Sequence, residues 1–217
     1  MARRFRRTRR GITAGFEPQE AELVARLLDD VADLLAGPAG TDADPAPSGA
    51  AAGAPGGAVP TADDDALAAL ARQLGGGPVD APADPALARL LPSASRDDDE
   101  AAAEFRRFTQ AGLADRKRSV LRATAATLRR PPPLVLSEEE ARGWVTALTD
   151  VRLVLAQRLG LESDEDAALV AQRAAEADED DPAAWTASIY DFLTWLQEGL
   201  AEVLLRDLPA RGGPPRR

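Results

Sequence analysis

Three consecutive prolines, Pro131-Pro132-Pro133, interrupt the most helix-prone part of this chain and fix where two long helices must part. Proline lacks the amide hydrogen a helix interior needs, and its ring collides with the preceding turn, so no helix runs through the triplet. Proline also biases the residue before it toward extended backbone. Leu134-Val135-Leu136 follows as a short extended run. Ser137 with Glu140 three residues later is a capping box, the strongest helix-start signal in the sequence. The helix it opens runs from Glu138 to Leu159, places Trp144, Val145, Leu148, Val151, Leu155 and Leu159 inward, and ends at Gly160.

Before the prolines, Ser95 can cap a long helix from about Arg96 to Arg129. Asp97, Asp98, Asp99 and Glu100 crowd its first turns, while Arg116, Lys117, Arg118, Arg122, Arg129 and Arg130 populate its second half, as the helix dipole favours. Gly112 is a point where it could bend or break. At 100° per residue, Arg107, Arg118, Arg122 and Arg129 fall within about 60° of one another. Phe105, Phe108, Leu113, Val120, Leu121 and Leu128 are the expected core face. The resulting arginine stripe could meet phosphates or an acidic partner, stay a solvated face, or pair with acidic helices of the same chain.

The remaining chain divides by composition. Residues 1–16 read either as two short strands turning near Arg10-Gly11, with Phe5, Thr8, Ile12 and Phe16 as their apolar and β-favouring positions, or as a frayed basic tail. Residues 17–36 form a first core helix with Pro18 at its start, Gly37-Pro38 at its end, and Leu23, Leu27, Leu28, Val31, Leu34 and Leu35 on one broad face. Residues 37–83, rich in Ala, Gly, Pro and Asp, cannot bury enough apolar area to offset ordering and read as a flexible insert, with one short helix at about Asp64 to Leu74. Gly75-Gly76-Gly77 has no preceding strand and no following Lys-Ser/Thr, so it reads as linker and not as a phosphate loop. Residues 84–208 hold the main helical core: a short helix at Pro85 to Leu91, the two long helices, one helix near Ala167 to Ala175, and a last helix opened by Asp181-Pro182. That last helix carries Trp185, Ile189, Phe192, Leu193, Leu196, Leu200, Val203 and Leu204 to about Arg206. Residues 209–217 read as a loose tail. The expected fold is mainly α, a small bundle of four to six helices, with the N-terminal hairpin as one of the two readings of residues 1–16.

Composition agrees with helices and narrows the chemistry. Apolar residues make up 45% but aromatics only 4%, and the strand-favouring types are scarce. There is no histidine, so no imidazole base and no Ser-His-Asp triad; there is no cysteine, so no thiolate nucleophile and no zinc site of the usual kind. No catalytic residue, metal ligand or cofactor is therefore assigned. Lys117, the only lysine, lies among basic neighbours that could lower its pKa toward Schiff-base chemistry, but it reads first as a solvated helix lysine. The acidic runs Asp97–Glu100 and Asp178–Asp181 lack the alternating spacing of a calcium loop and sit where helices begin. Glu104 and Arg107 on one helix, with Asp150 and Arg152 on another, are the expected interhelical polar network.

Charge is uneven. The net charge is -10, yet residues 1–10 hold Arg3, Arg4, Arg6, Arg7, Arg9 and Arg10 and no acid. A basic arm on an acidic body argues against wholesale binding to nucleic acid or an anionic membrane and makes the arm the first candidate contact surface. No stretch reaches the roughly 18–20 apolar residues of a membrane span. No apolar segment follows the N-terminal arginines as in a secretory signal. A cysteine-free chain suits a reducing compartment, and the expected location is the cytoplasm.

Several strings together resemble DUF2017, an actinobacterial family of unknown function. They are Asp84-Pro85-Ala86-Leu87-Ala88-Arg89-Leu90-Leu91-Pro92, then Asp97-Asp98, then Glu104-Phe105-Arg106-Arg107-Phe108-Thr109. Trp144-Val145-Thr146-Ala147-Leu148-Thr149-Asp150-Val151-Arg152-Leu153, followed by Arg158-Leu159-Gly160, completes the set. The resemblance covers most of the chain outside the insert. Thr149 stands where the family pattern has asparagine, and Ser95 where it has an aromatic residue. The resemblance implies a helical cytoplasmic protein, often encoded beside the adaptor of the Clp protease, and no known reaction. The expected function is a non-catalytic regulatory or adaptor role through protein contacts, with Clp-type regulated proteolysis as the candidate partner system. The alternative is a transcriptional or RNA-associated regulator using the arginine arm.

Overall fold

The computed structural model describes residues 2–37, 82–93, 98–176 and 181–206. The short helix expected at Asp64 to Leu74, Ser95 and the tail lie outside the described residues. The elements are β1 (Arg3–Thr8), β2 (Gly11–Gly15), α1 (Pro18–Ala36), α2 (Pro85–Leu90), α3 (Asp99–Leu128), β3 (Leu134–Leu136), α4 (Glu138–Leu159), α5 (Asp164–Glu176) and α6 (Pro182–Leu205). The fold is mainly helical with a short N-terminal strand pair. Among the described residues, no helix is long and apolar enough to cross a membrane.

The hairpin reading of the arm is the one that holds. β1 and β2 pair antiparallel, and the run after the prolines adds a third strand, giving the order β1-β2-β3. Ile12 faces Leu136 and Ala14 faces Leu134 on the buried side, while Thr13 and Val135 take the other. An isolated hairpin is marginal in water; here β3 and the helices cover its apolar face. The turn depends on Gly11, whose φ is 130°. A Cβ there would sit 2.5 Å from the Leu136 carbonyl oxygen, so the β2–β3 approach also needs glycine. Thr8 closes the turn, donating its hydroxyl to the Gly11 carbonyl at 2.9 Å and accepting from the Arg10 amide at 3.2 Å.

Sheet and helices meet at Trp144, which is fully buried. Phe5 of β1 stands edge-on to it at 5.6 Å and Phe16 lies 5.9 Å away. The indole nitrogen donates to the Thr127 hydroxyl at 2.9 Å, and that hydroxyl donates to the Thr124 carbonyl at 2.7 Å. One tryptophan thus joins β1, α3 and α4, with its polar edge satisfied. α1 packs along α3, burying Val24, Leu28, Val31 and Leu35. α4 packs against α2, α3 and α6, the last contributing Leu193, Leu196, Leu200 and Val203.

Helix ends follow local chemistry. Ser137 and Glu140 form both bonds of their capping box, and Gly160 closes α4 in the left-handed conformation. Gly112 does not break α3, which is continuous.

Two expectations about the core fail. Phe105 and Phe108 are 50% and 70% exposed. At 1.5 Å per residue α3 is about 45 Å long against about 28 Å for α1, so its contact with the main core begins near Leu113, although Ala102 in its first turn is also buried. Trp185 is also exposed; it lies in the first turn of α6, ahead of Ala187, the first buried residue of that helix.

Candidate functional site

The structure separates the two arginine sets that the sequence offered together. On the hairpin, the strand pattern buries Phe5 and leaves the arginines exposed. Arg4 lies over the Trp195 ring at 5.8 Å, and Arg7 pairs with Glu138 at 3.0 Å. Arg3, Arg6, Arg9 and Arg10 form no side-chain ion pair or hydrogen bond among the described residues. They run from the start of β1 to the turn.

The helix set is occupied from within. Arg122 pairs with Asp29 and Asp33, and Arg129 with Asp29, so α1 docks its own Asp29/Asp33 stripe on the arginines of α3. Arg118 pairs with Asp115 on its own helix at 3.0 Å. The Arg107 side chain lies outside the described residues. Burial pushes the Asp29 carboxyl upward, but hydrogen bonds and charge from Arg129 and Arg122 outweigh it and hold it below its usual range. Of the readings the sequence left open for the stripe, Arg122 and Arg129 show the pairing with acidic residues of the same chain, while their side chains stay about half exposed.

Asp150 and Arg152, two members of the expected polar network, turn to different helices; the side chains of the other two, Glu104 and Arg107, lie outside the described residues. Asp150 is 2% exposed and takes Lys117 of α3, with Nζ 2.5 Å from its Oδ1. Its Oδ2 is buried with no hydrogen-bond partner among the described residues. Burial raises the Asp150 carboxyl above its ordinary value, and the Lys117 ammonium offsets only part of that. Lys117 is therefore a half-buried partner of a buried carboxylate and not a solvated lysine. Arg152 turns the other way, to α6, donating to Gln197 at 2.6 Å and to the Tyr190 hydroxyl at 3.2 Å and lying over that ring at 5.0 Å. Gln197 in turn donates to the Thr149 hydroxyl at 2.6 Å. α4 thus presents one polar clamp to α3 and another to α6.

A feature the sequence did not signal is a cleft of about 650 Å³ where the end of β2, the first turn of α1 and the end of α3 meet. Its size lies within the roughly 300–1,000 Å³ typical of ligand sites. Phe16, Leu128, Pro132, Pro133 and Leu134 give it mainly apolar walls. The charged wall residues are paired: Arg129 with Asp29, Arg130 with Glu140 at 2.6 Å, and Glu22 with Arg26 at 2.7 Å. The Arg130 guanidinium and the Ser137 amide hold the Glu140 carboxyl below its usual range.

The acidic runs act locally where they are described. Asp181 caps α6, accepting from the Ala183 amide at 2.8 Å.

The family model described as a domain of unknown function, DUF2017, matches residues 2–204, nearly the whole chain. The chain belongs to that family. No curated protein and no solved structure matches it.

Proposed function

We propose that this DUF2017 chain is a cytoplasmic, non-catalytic regulatory or adaptor protein that works through protein contacts made by its N-terminal hairpin. One observation carries the reading. In a chain of net charge -10, whose helix arginines Arg122 and Arg129 are paired internally, four hairpin arginines remain exposed without an acidic partner among the described residues. Docking the hairpin on Trp144 holds that basic rank on a rigid sheet, which reduces the ordering cost of a contact. The composition supports the non-catalytic part, since a chain without histidine or cysteine lacks the commonest bases and nucleophiles. Clp-type proteolysis, implied by the family resemblance, is the partner system to test first.

A nucleic-acid role would use the same arginines against phosphates. The rings near them offer little to stack a base: Phe5 and Phe16 are packed on Trp144, and Trp195 is already in contact with Arg4 and Phe192. The test is affinity capture by the full tagged chain from native lysate. It compares wild type with the combined Arg3→Gln, Arg6→Gln, Arg9→Gln and Arg10→Gln variant. A protein, with Clp components the first to look for, retained by wild type and lost by the variant supports the reading. Capture unchanged by the substitutions contradicts it, and salt-sensitive retention of RNA or DNA alone favours the nucleic-acid role.

A further inference from the structure

The arginine rank and the apolar cleft share an edge. Gly15 lines the cleft and pairs with Arg3 across the hairpin. The Cβ, Cγ and Cδ atoms of Arg3 lie 3.5–3.6 Å from where a Gly15 Cβ would stand, so its aliphatic stem lies against Gly15, one of the cleft's strand residues. Arg129, Arg130 and Glu22 are paired within the chain, whereas Arg3, beside Gly15, forms no ion pair among the described residues. Arg6 follows farther along β1, opposite Thr13.

Given that the hairpin is the contact surface, we infer that the cleft seats a bulky apolar side chain of a partner polypeptide whose neighbouring acidic residues meet Arg3 and Arg6. The walls favour a hydrocarbon or aromatic side chain because they are mainly apolar and their charged side chains are paired within the chain. The Thr127 hydroxyl donates to Thr124 and accepts from Trp144, and the prolines Pro132 and Pro133 have no amide hydrogen to offer. A nucleobase would bring a hydrogen-bonding edge into walls that are mainly apolar, at a desolvation cost. An acidic segment without an apolar anchor would engage only exposed arginines, where an ion pair contributes little. Apolar anchor and carboxylate together are the recognition element.

The test uses the full chain and three fluorescein-labelled peptides of equal length. The first carries Leu-Phe flanked by Asp and Glu, the second the same acids around Ala-Ala, and the third Leu-Phe flanked by Ser and Gln. Fluorescence polarisation is expected to show saturable binding of the first, with the other two about tenfold or more weaker. Ala21→Trp, which fills a cleft wall, should abolish that binding, and Arg3→Gln with Arg6→Gln should weaken it about tenfold. Methyl NMR shifts of Leu128 and Leu134 on titration with the first peptide locate the site in the wild-type chain, whether or not Ala21→Trp folds. Equal binding of the Ala-Ala peptide, or methyl shifts that do not move, overturns the cleft assignment while leaving the hairpin reading intact. No peptide binding alongside arginine-dependent capture from lysate has the same meaning. If neither peptide binding nor capture depends on the arginines, both readings fall. Competition by an unlabelled oligonucleotide that leaves the Leu128 and Leu134 methyls unmoved assigns the hairpin to nucleic acid and overturns the proposal.

Discussion

Lys117, the only lysine in the chain, places its ammonium 2.5 Å from Oδ1 of Asp150, a carboxylate that is 2% exposed. Removing Lys117 strands a buried carboxylate, whereas neutralising the carboxylate leaves an ammonium that is one-fifth exposed and can still reach water. Lys117→Met is therefore expected to cost about 3 kcal/mol at pH 7, at the low end for a buried pair because the lysine is partly exposed. Asp150→Asn is expected to cost clearly less. The pH dependence has a definite sign. Asp150 is raised above its unfolded value, so its protonated form adds stability below the ordinary carboxylate range, and that stability is lost as pH rises through the raised folded value. The Lys117→Met penalty should shrink as pH falls through that window. Urea unfolding of both variants at several pH values checks this; a penalty independent of pH would show that the carboxylate is not the stranded group.

Asp29 has the opposite sign. Its carboxyl is held below its ordinary value, so the stability it contributes is present above the ordinary range and is lost as pH falls through its lowered folded value. Asp29→Asn leaves Arg129 without its partner and Arg122 with Asp33 alone, both arginines being about half exposed. The expected cost is about 1 kcal/mol or less at neutral pH, smaller in high salt and vanishing in acid. Thermal melts across a salt and pH series read it, and a cost that grows toward low pH would contradict the assignment.

Thr127→Val leaves the indole N–H of a fully buried tryptophan without its acceptor. An unmet buried donor costs roughly 1–3 kcal/mol. Thr127→Ser keeps the hydroxyl and should recover most of that loss. Denaturant unfolding monitored by tryptophan fluorescence distinguishes the two; equal stability of the valine and serine variants would mean that packing, not the hydrogen bond, holds Trp144.

Gly11→Ala combines a φ of 130° with a Cβ 2.5 Å from the Leu136 carbonyl. It should loosen the β2–β3 pairing and raise amide exchange at Leu134–Leu136. Gly15→Ala, whose nearest contact would be an ordinary 3.5 Å to Arg3, should leave exchange unchanged. Hydrogen exchange of the two variants tests the turn, and similar protection in both would remove the argument for Gly11.

Much of this fold is legible in the sequence because its signals are local. The proline triplet, the Ser137–Glu140 box and Gly160 act on neighbouring residues and set the ends of α3 and α4 without help from the rest of the molecule. The third strand reads as an extended run, but its pairing with Ile12 and Ala14 is a contact across more than a hundred residues. The exposure of Phe105 and Phe108 depends on how far α1 reaches along α3, which no periodicity records. The Lys117–Asp150 pair did leave a trace. Lys117 is spaced four residues from both Leu113 and Leu121, and Asp150 stands three after Ala147 and four before Val154, so both polar residues occupy core-spaced positions. Arg118 and Arg122 share the four-residue spacing of Asp29 and Asp33, but only the packing of α1 on α3 shows that Arg122 meets those acids. The cleft left no such trace, because its walls come from three elements.

The central claim is that partner contact belongs to the hairpin arginines and internal pairing to those of α3. Its most direct measurement is quantitative capture of partner proteins from native lysate by three forms of the full chain: wild type, the Arg3/Arg6/Arg9/Arg10→Gln variant, and the Arg122/Arg129→Gln variant. The expected result is loss of partner by the hairpin variant with its melting temperature unchanged, and retention by the helix variant with its melting temperature lowered. Retention by the hairpin variant together with loss by a fully folded helix variant would contradict the account.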